Sequence, residues 1–442
     1  MIRLTWVQPE DLVGHELRQA AEDGRDVGAI AARWRAAGGH DAPPRAGASE
    51  PRARALRPLA ESLLDELAAM PSPLPEPTDL DAIIAATPTW PAPAPASAVD
   101  PARVLGAWQG RAAGCVLGKP VEKIPRQGVR EIAESTGNWP IRGWFTAEGL
   151  PREVAARWPW NRRSAVNSLA ENIDGIPEDD DLNYPLLALT VLERHGRGFT
   201  TDDVAAVWLD ELPAGRTFTA ERVAYRNLLS GVEPPETATH RNPFREWIGA
   251  LIRADVYGWV NPGDPATAAG YAWRDARLTH TANGVYGAMF AAAMCAQSLV
   301  ATSAEEVVAA GLSVVPPGSR LHEAVRRAAE DAAAERDFER VVDRLYERHG
   351  RLHWVHTINN AALVAAALVH GDGDVTASIA GAVAGGWDTD SAGATAGSVA
   401  GALNGGVPDQ WITKNTLASS LTGFDGIGLD ELARRTQEMM EP

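Results

Sequence analysis

Helical spacing of apolar residues constrains this chain more than any other feature. Apolar residues recur three and four positions apart along most of the sequence, as on one face of a helix. Alternating runs rich in Val, Ile or Thr are nearly absent, and the nearest example, residues 311–317, is too short for a core strand. We therefore predict an all-α fold, a compact bundle of many helices. Helices are predicted at residues 182–194, 201–211, 279–300, 319–334, 354–370, 374–385 and 391–404.

Two of these helices have compositions that indicate burial. Residues 288–296 are apolar on every side, which is typical of a central helix. In the last helix, Gly393, Gly397 and Gly401 stand four residues apart, with small residues between them. A glycine stripe lets a second backbone approach closely, so we expect tight helix packing there.

The N-terminal hundred residues differ in composition from the rest. Residues 1–70 show helical spacing, as in Leu63, Leu64 and Leu67, and are predicted to form a helical appendage. Nine prolines lie between Pro71 and Pro101, so residues 71–100 are predicted to be an extended linker without helix. Residues 101–442 are left as the main domain. We expect the first hundred residues to be non-catalytic, and a chain beginning near Val99 to keep metal binding and activity if it is soluble.

Charge and composition exclude several classes of protein. Lys and Arg number 41 against 58 Asp and Glu, and a net charge of −17 argues against a nucleic-acid partner. The absence of a run of about 18 apolar residues predicts no membrane span. The N-terminus lacks the pattern of a secretory signal, so a cytoplasmic location is expected. Two cysteines, Cys115 and Cys295, exclude a disulfide scaffold and a four-cysteine zinc site.

The first segment that could carry chemistry is a run of four carboxylates at residues 178–181, directly before an apolar helix. Carboxylates favour a helix N-terminus, where free N–H groups and the helix dipole attract negative charge. One or two acids are enough for that purpose. The segment alone therefore leaves capping and cation binding open.

A second acidic segment opens the glycine-striped helix. Asp388 and Asp390 stand two residues apart, Ser391 follows, and two glycines precede them. Carboxylate and hydroxyl oxygens are hard ligands that suit Mg²⁺ or Mn²⁺ better than zinc. If the two helices lie side by side, their acids would repel one another strongly without a cation. Together the segments favour a site for two Mg²⁺ or Mn²⁺ ions over two capped helices.

A third polar segment opens the most apolar helix. It contains Thr279, His280, Thr281, Asn283 and Tyr286. Either threonine could cap the helix, with a structural histidine beside it. The same side chains could also line a ligand pocket.

Taken in order, these motifs resemble one family, the ADP-ribosylglycohydrolases of the type that reactivates ADP-ribosylated dinitrogenase reductase. The resemblance spans about residues 101–410 and leaves out residues 1–100. It is carried by Gly114 to Gly118 with Glu122, Asp179 to Asp181, Gly258 to Asp264, Leu278 to His280 with Tyr286, and Asp388 to Gly393. It implies an all-α fold and a dinuclear Mg²⁺ or Mn²⁺ centre. It also implies hydrolysis of the N- or O-glycosidic bond between ADP-ribose and a side chain.

The resemblance also implies roles for individual residues. Asp179 stands where the family usually has Thr, Leu182 replaces another Thr, and Cys115 replaces an Asp. Glu122 and Asp181 are the candidate catalytic residues, as acceptors of a proton from water. The implied metal ligands are Asp179, Asp180, Asp181, Asp388, Asp390 and Ser391, and the expected substrate contacts are Asn183, His280, Asn283, Tyr286 and Trp387.

The function expected from the resemblance is metal-dependent release of ADP-ribose from an N-linked acceptor, with arginine as the first candidate. The partner would be an ADP-ribosylated protein, or a small molecule carrying an ADP-ribosyl or N-ribosyl group. One alternative is a hydrolase of a free N-ribosyl or nucleotide metabolite. A second alternative is a catalytically inert module that binds ADP-ribose. A third is a helical scaffold in which every acid is a helix cap.

Overall fold

The computed structural model describes residues 4–43, 51–94, 98–412 and 414–440, which form an all-α fold as predicted. The N-terminal helices are α1 (Pro9–Glu22), α2 (Gly28–Ala36), α3 (Arg57–Ala68) and α4 (Leu80–Ala85). The body begins with α5 (Pro101–Gly118), α6 (Arg126–Ser135), α7 (Arg152–Arg157), α8 (Ala165–Ser168), α9 (Asp180–His195), α10 (Thr201–Glu211), α11 (Thr219–Leu229) and α12 (Asp255–Trp259).

The second half of the body is also helical. It contains α13 (Pro265–Ala276), α14 (Ala282–Ser298), α15 (Ala304–Leu312), α16 (Arg320–Ala334), α17 (Phe338–His349), α18 (Thr357–His370), α19 (Val375–Ala384), α20 (Thr389–Asn404) and α21 (Leu429–Glu438). Two short strands, β1 (Thr416–Leu417) and β2 (Ile427–Gly428), pair antiparallel with Thr416 opposite Gly428. The seven helices predicted in the body correspond to α9, α10, α14, α16, α18, α19 and α20.

The apolar helix α14 lies at the centre of the body. Every residue from 283 to 296 is buried, and α14 packs against α12, α13, α15 and α20. A helix with no polar face gains most free energy when it is covered on all sides. This confirms the prediction of a central helix.

The closest packing in the protein joins α5 and α20, which run antiparallel. Gly106 of α5 faces Gly401 of α20, Gly110 faces Gly397, and Gly114 faces Gly393. A Cβ on any of these glycines would lie less than 3.0 Å from a backbone atom of the other helix. The predicted glycine stripe on α20 is therefore matched by a second stripe on α5. Because the helices are antiparallel, the end of α5 lies beside the start of α20.

The N-terminal appendage packs on the body through an apolar cluster and through buried ion pairs. Residues of α1, α2 and α3 share a hydrophobic cluster with Val223, Phe244 and Trp247 of the body. The buried Arg245 binds Glu16 at 2.8 Å and Asp23 at 2.7 Å. A chain beginning near Val99 would leave this guanidinium buried without these partners, which is strongly unfavourable. We therefore expect such a chain to lose stability, and the expectation that it keeps metal binding and activity if soluble stays a prediction.

The proline-rich segment contains a helix, contrary to the prediction. Helix α4 lies between Pro77 and Pro88, where the ten intervening positions contain no proline and Asp79 serves as the N-cap. The Asp79 side chain accepts hydrogen bonds from the N–H groups of Asp81 and Ala82. Ile83 of α4 is fully buried in the main core. Residues 95–97 of this segment lie outside the described ranges.

Within the described part of the chain, no helix has the length and apolar composition that a membrane crossing requires.

The glycine contact makes a direct prediction about stability. Gly397→Ala would place a methyl group against the Gly110 carbonyl, so we expect a loss of unfolding free energy of at least about 1–3 kcal/mol, as for other overpacked cores. Gly270→Ala in α13 is the matched control, because no atom lies within 4 Å of the added Cβ. Since Ala favours helix over Gly, the control should match or exceed wild type by up to ~1 kcal/mol. Urea unfolding of both variants measures the difference, and equal stability would contradict the packing described.

Candidate active site

The two acidic segments and the end of α5 meet at one cavity of about 720 Å³. Asp179 is the N-cap of α9, and Asp388 occupies the same position before α20. The chain leaves α5 through the 3₁₀ turn Lys119–Val121, which brings Glu122 to the cavity wall. The residues lining it include Lys119, Glu122, Asp179, Asp180, Asp181, Asn183, Asp388, Asp390 and Ser391.

Direct contacts connect the acidic segments. The Ser391 hydroxyl donates a hydrogen bond to Asp181 Oδ2 at 3.1 Å. One carboxylate oxygen each of Glu122, Asp388 and Asp390 lies within 4.8 Å of the other two. Cys115, Asp179 and Asp181 form a second group with the same spacing. The structure thus brings together all six residues expected to bind metal.

Crowding and burial oppose ionisation of most of these carboxyl groups. Burial, followed by neighbouring Asp179 and Asp181, raises the pKa of Asp180 well above its usual range. Burial raises the pKa of Asp181 and Asp388 in the same way, with further contributions from neighbouring carboxylates. For Asp390, burial and then Glu122 raise the pKa to about 7. Such a cluster needs nearby positive charge if its acids are to be ionised at neutral pH.

Asp179 differs from its neighbours because it already has a cationic partner. Its Oδ2 pairs with the Lys119 ammonium, and its Oδ1 accepts a hydrogen bond from the Asp181 N–H at 3.0 Å. Burial alone would raise its pKa, but Lys119 and these hydrogen bonds outweigh burial and lower it. The contacts of Asp179 are therefore those expected of a helix cap. Both of its carboxylate oxygens already have a partner.

Arg111 supports the first acidic segment from inside the core. Its fully buried guanidinium donates to the Asp181 carbonyl oxygen at 2.7 Å and to Asp255 Oδ2 at 2.7 Å. Asn360 supports the second segment, since its Oδ1 accepts the Asp388 N–H at 3.2 Å. Sequence reasoning did not select Arg111, Lys119 or Asn360. The sequence did offer a signal for Arg111, because it is a charged residue within a segment of small and apolar residues.

The site has donors that fit divalent cations. Asp181 Oδ1 is buried and, among the described residues, has no hydrogen-bond partner. The surrounding donors are carboxylate and hydroxyl oxygens, the ligands that Mg²⁺ and Mn²⁺ prefer. The side chains of Asp180, Asp181, Asp388, Asp390 and Ser391, with Glu122 beside them, could therefore hold such ions.

Of the expected substrate contacts, only Asn183 lines the cavity. Its Nδ2 donates to Glu178 Oε1 at 3.1 Å, and its Oδ1 accepts from the Ser419 hydroxyl at 2.7 Å. Trp387 does not contribute to the cavity. Its ring stacks on Tyr346 with centroids 4.4 Å apart.

His280, Asn283 and Tyr286 lie at the buried start of α14 and do not line the cavity, although His280 Nε2 is 3.9 Å from Oε1 of Glu221, which does. Asn283 Nδ2 donates to Glu76 Oε2 at 2.7 Å, and the Tyr286 hydroxyl donates to the Pro77 carbonyl. Burial, followed by the charge of Arg253, lowers the pKa of His280 well below its usual range, so it is neutral. The proline-rich segment covers this part of the molecule. The expected pocket at Asn283 and Tyr286 is therefore corrected to a contact that anchors that segment, whereas His280 contacts Thr279 and Glu221.

Comparison with known proteins places the chain in a family. The model of the ADP-ribosylglycohydrolase family matches residues 96–441, and the chain belongs to that family. It is a hydrolase of the ADP-ribosylglycohydrolase superfamily, as the sequence resemblance implied. A solved structure described as an ADP-ribosylglycohydrolase-related protein complex shares 24% identity over 77% of this chain and 98% of that chain, with a TM-score of 0.49. No curated protein matches the chain.

The Lys119–Asp179 ion pair is predicted to stabilise the folded state as a unit. Lys119→Met leaves the Asp179 carboxylate buried without its cation, so unfolding free energy should fall by about 3–5 kcal/mol, the usual effect of breaking a buried pair. The double variant Lys119→Met with Asp179→Asn should regain part of this loss, because the uncompensated charge is gone. Urea unfolding of the two single variants and the double variant measures the coupling. Strictly additive losses would show that the pair does not act as a unit.

Proposed function

We propose that the protein is a divalent-cation-dependent hydrolase that releases ADP-ribose from an N-linked acceptor, with an arginine-type acceptor as the first candidate. The observation that carries this proposal is the meeting of two acidic helix starts at one cavity, with Ser391 hydrogen-bonded to Asp181. Membership in the ADP-ribosylglycohydrolase family supports the substrate class.

The proposed ligands are Asp180, Asp181, Asp388, Asp390 and Ser391. Bound divalent cations would hold the ribose hydroxyls and lower the pKa of water at the site. Asp179 was included in the predicted set, but its pairing with Lys119 assigns it here to charge balance and helix capping. Cys115 lies in the adjacent group, where burial raises the pKa of its thiol. A neutral thiol is a poor ligand for hard cations.

The reaction is a hydrolysis in which water adds to C1 of the ribose. The C1–N bond breaks through an oxocarbenium-like state, and the leaving nitrogen gains a proton. Glu122 is the first candidate to accept the proton from water. Its carboxylate is oriented by Asn161 Nδ2 at 2.6 Å and by Lys123 Nζ at 2.6 Å. Asp181 is the second candidate, although Ser391 and Arg111 already engage it.

The same cavity offers positive charge for the diphosphate of ADP-ribose. Arg162 and Arg163 line it beside Asn161, and Lys123 lines it while paired with Glu122. An acidic protein needs such a local basic surface, or bound cations, to attract a diphosphate. Asn183, at the start of α9, is the remaining predicted substrate contact within the cavity.

Cation binding predicts a specific effect of pH on thermal stability. In chelated protein, Asp390 has a folded pKa of about 7 against an ordinary 3.8, so the folded state binds more protons between these values. Stability from this group is therefore lost as pH rises towards 7 and above. Added Mn²⁺ binds the ionised carboxylates and should raise Tm more at pH 8 than at pH 6. Differential scanning fluorimetry with Mn²⁺ or EDTA tests this, and identical Tm values with and without chelator at both pH values would exclude the cation site.

Removal of one carboxylate predicts the loss of activity. Asp390→Asn should reduce turnover by orders of magnitude while the helical circular dichroism is retained, because the variant changes charge more than volume. Asp372→Asn is the matched control, since Asp372 is exposed and distant from the cavity lining. Free ADP-ribose is measured from ADP-ribosyl-arginine, ADP-ribosyl-serine and simple N-ribosides.

The substrate panel separates the alternatives. Turnover of simple N-ribosides alone would favour hydrolysis of a free metabolite. Binding of ADP-ribose without turnover of any substrate would favour an inert binding module. Wild-type activity in Asp390→Asn would rule out the metal mechanism for every substrate.

A further inference from the structure

A residue of the N-terminal appendage lines the cavity that holds the acidic segments. Trp6 precedes α1 and lies well outside residues 96–441, the part that matches the family model. Its side chain nevertheless contributes to the same cavity as Asp181 and Asp390. The appendage therefore reaches the candidate active site, although no acidic or glycine motif in it suggested such a role.

Contacts with α11 hold Trp6 in this place. The Arg222 guanidinium lies 4.9 Å from the centre of the Trp6 ring and donates a hydrogen bond to Thr5 Oγ1 at 3.2 Å. Arg226 donates to the Val7 carbonyl oxygen at 2.9 Å. These two arginines hold the Thr5 side chain and the Val7 backbone on either side of Trp6. They also support its φ of 62°, which a bulky residue adopts only when its surroundings require it.

Trp6 belongs to an aromatic part of the cavity wall. Its ring meets Phe218 edge to face, with centroids 5.8 Å apart and planes at 77°. Trp247 and Trp354 line the same cavity. One part of the wall is therefore acidic and another part is aromatic. Such a cavity suits a ligand that has hydroxyl groups at one end and a planar ring at the other.

The Trp6 indole also has an unused hydrogen-bond donor. Its Nε1 is buried and, within the described ranges, has no acceptor. Buried polar atoms normally have a partner, so an orphaned donor on a cavity-lining residue is a reason to look for a ligand. A heteroaromatic ring could stack on the indole or an adjacent face and also offer a nitrogen or oxygen acceptor.

We propose that Trp6 is a specificity-determining residue that contacts a planar heteroaromatic ring of the substrate. This inference rests on the proposed function, because it assumes a ribosyl substrate at the acidic end. The ring has two possible sources, the adenine of the ADP-ribosyl group or a ring carried by the acceptor. Both sources share the chemistry that Trp6 recognises.

The test uses the full chain and three variants. Trp6→Ala removes the ring and the donor, Trp6→Phe keeps a ring but removes the N–H, and Leu4→Ala is a neighbouring exposed control. Calorimetry measures the Kd for ADP-ribose and for ribose 5-phosphate, which has no ring. Kinetics measures kcat and KM for ADP-ribosyl-arginine and for an N-riboside with an aromatic acceptor. Asp390→Asn is assayed in parallel.

If Trp6 contacts adenine, Trp6→Ala should weaken ADP-ribose binding by roughly ten- to a hundredfold, the range expected for a lost base–aromatic contact. Ribose 5-phosphate binding should not change, and Trp6→Phe should lie between. If Trp6 contacts an acceptor ring, KM should rise for the aromatic N-riboside alone. Either outcome supports the proposal.

The proposal is overturned if Trp6→Ala and Trp6→Phe match wild type and Leu4→Ala in every Kd and KM. If Asp390→Asn has meanwhile lost turnover, the proposed function stands without the role of Trp6. If wild type neither binds ADP-ribose nor hydrolyses any substrate, the proposed function fails and the inference fails with it. Should Trp6→Ala fail to fold, Trp6→Phe still tests the donor through its Kd for ADP-ribose.

Discussion

The backbone contact between α5 and α20 is the constraint on which the rest of the structure depends. Gly110 and Gly397 face each other with no room for a side chain on either, and the same holds one turn away in both directions. This contact sets the separation between the end of α5 and the start of α20. Lys119 and Glu122 follow from the first helix, and Asp388 and Asp390 lie at the start of the second. Larger residues at these glycine positions would separate the two helices and hold these groups apart.

The second constraint is the management of negative charge. Four carboxyl groups at the cavity have raised pKa values, whereas Asp179 has a lowered one because Lys119 is its partner. Arg111 stabilises the first acidic segment through the Asp181 carbonyl and through Asp255. Lys119 and Arg111 balance only part of the negative charge of these carboxylates. Divalent cations at the proposed site would supply the remainder and would let acids so close together coexist in the ionised form.

Apolar composition and glycine spacing were enough to predict the features that depend on residues close together in the sequence. The apolar composition around Met289 specifies a buried helix, and the spacing of Gly393, Gly397 and Gly401 specifies close packing, whatever the partner. The acidic segments were recognisable as candidate cation ligands because four consecutive acids are more than a helix cap needs. The partner helix α5 was not predicted, although Gly106, Gly110, Gly114 and Gly118 have the same spacing.

Contacts between distant segments could not be predicted from such patterns. Asn283 and Tyr286 are polar residues at a helix start, but Glu76 and Pro77 cover them, so they bind protein where a ligand was expected. The helix at Leu80–Ala85 forms because Asp79 caps it and the core accepts Ile83, despite the prolines around it. Arg222 and Phe218, which are more than 200 residues away in the sequence, contact Trp6 and hold it at the cavity. Nothing in the sequence around Trp6 indicates these contacts.

A crystal structure of the full chain with Mn²⁺ and ADP-ribose, with anomalous scattering to locate the ions, tests whether the two acidic segments form one cation site. We expect anomalous density bonded to oxygens of both acidic segments, including Asp181 and Asp390, with the ribose hydroxyls beside it. Absence of such density, or ions bonded to one segment alone while the ribose lies elsewhere, would contradict a shared site.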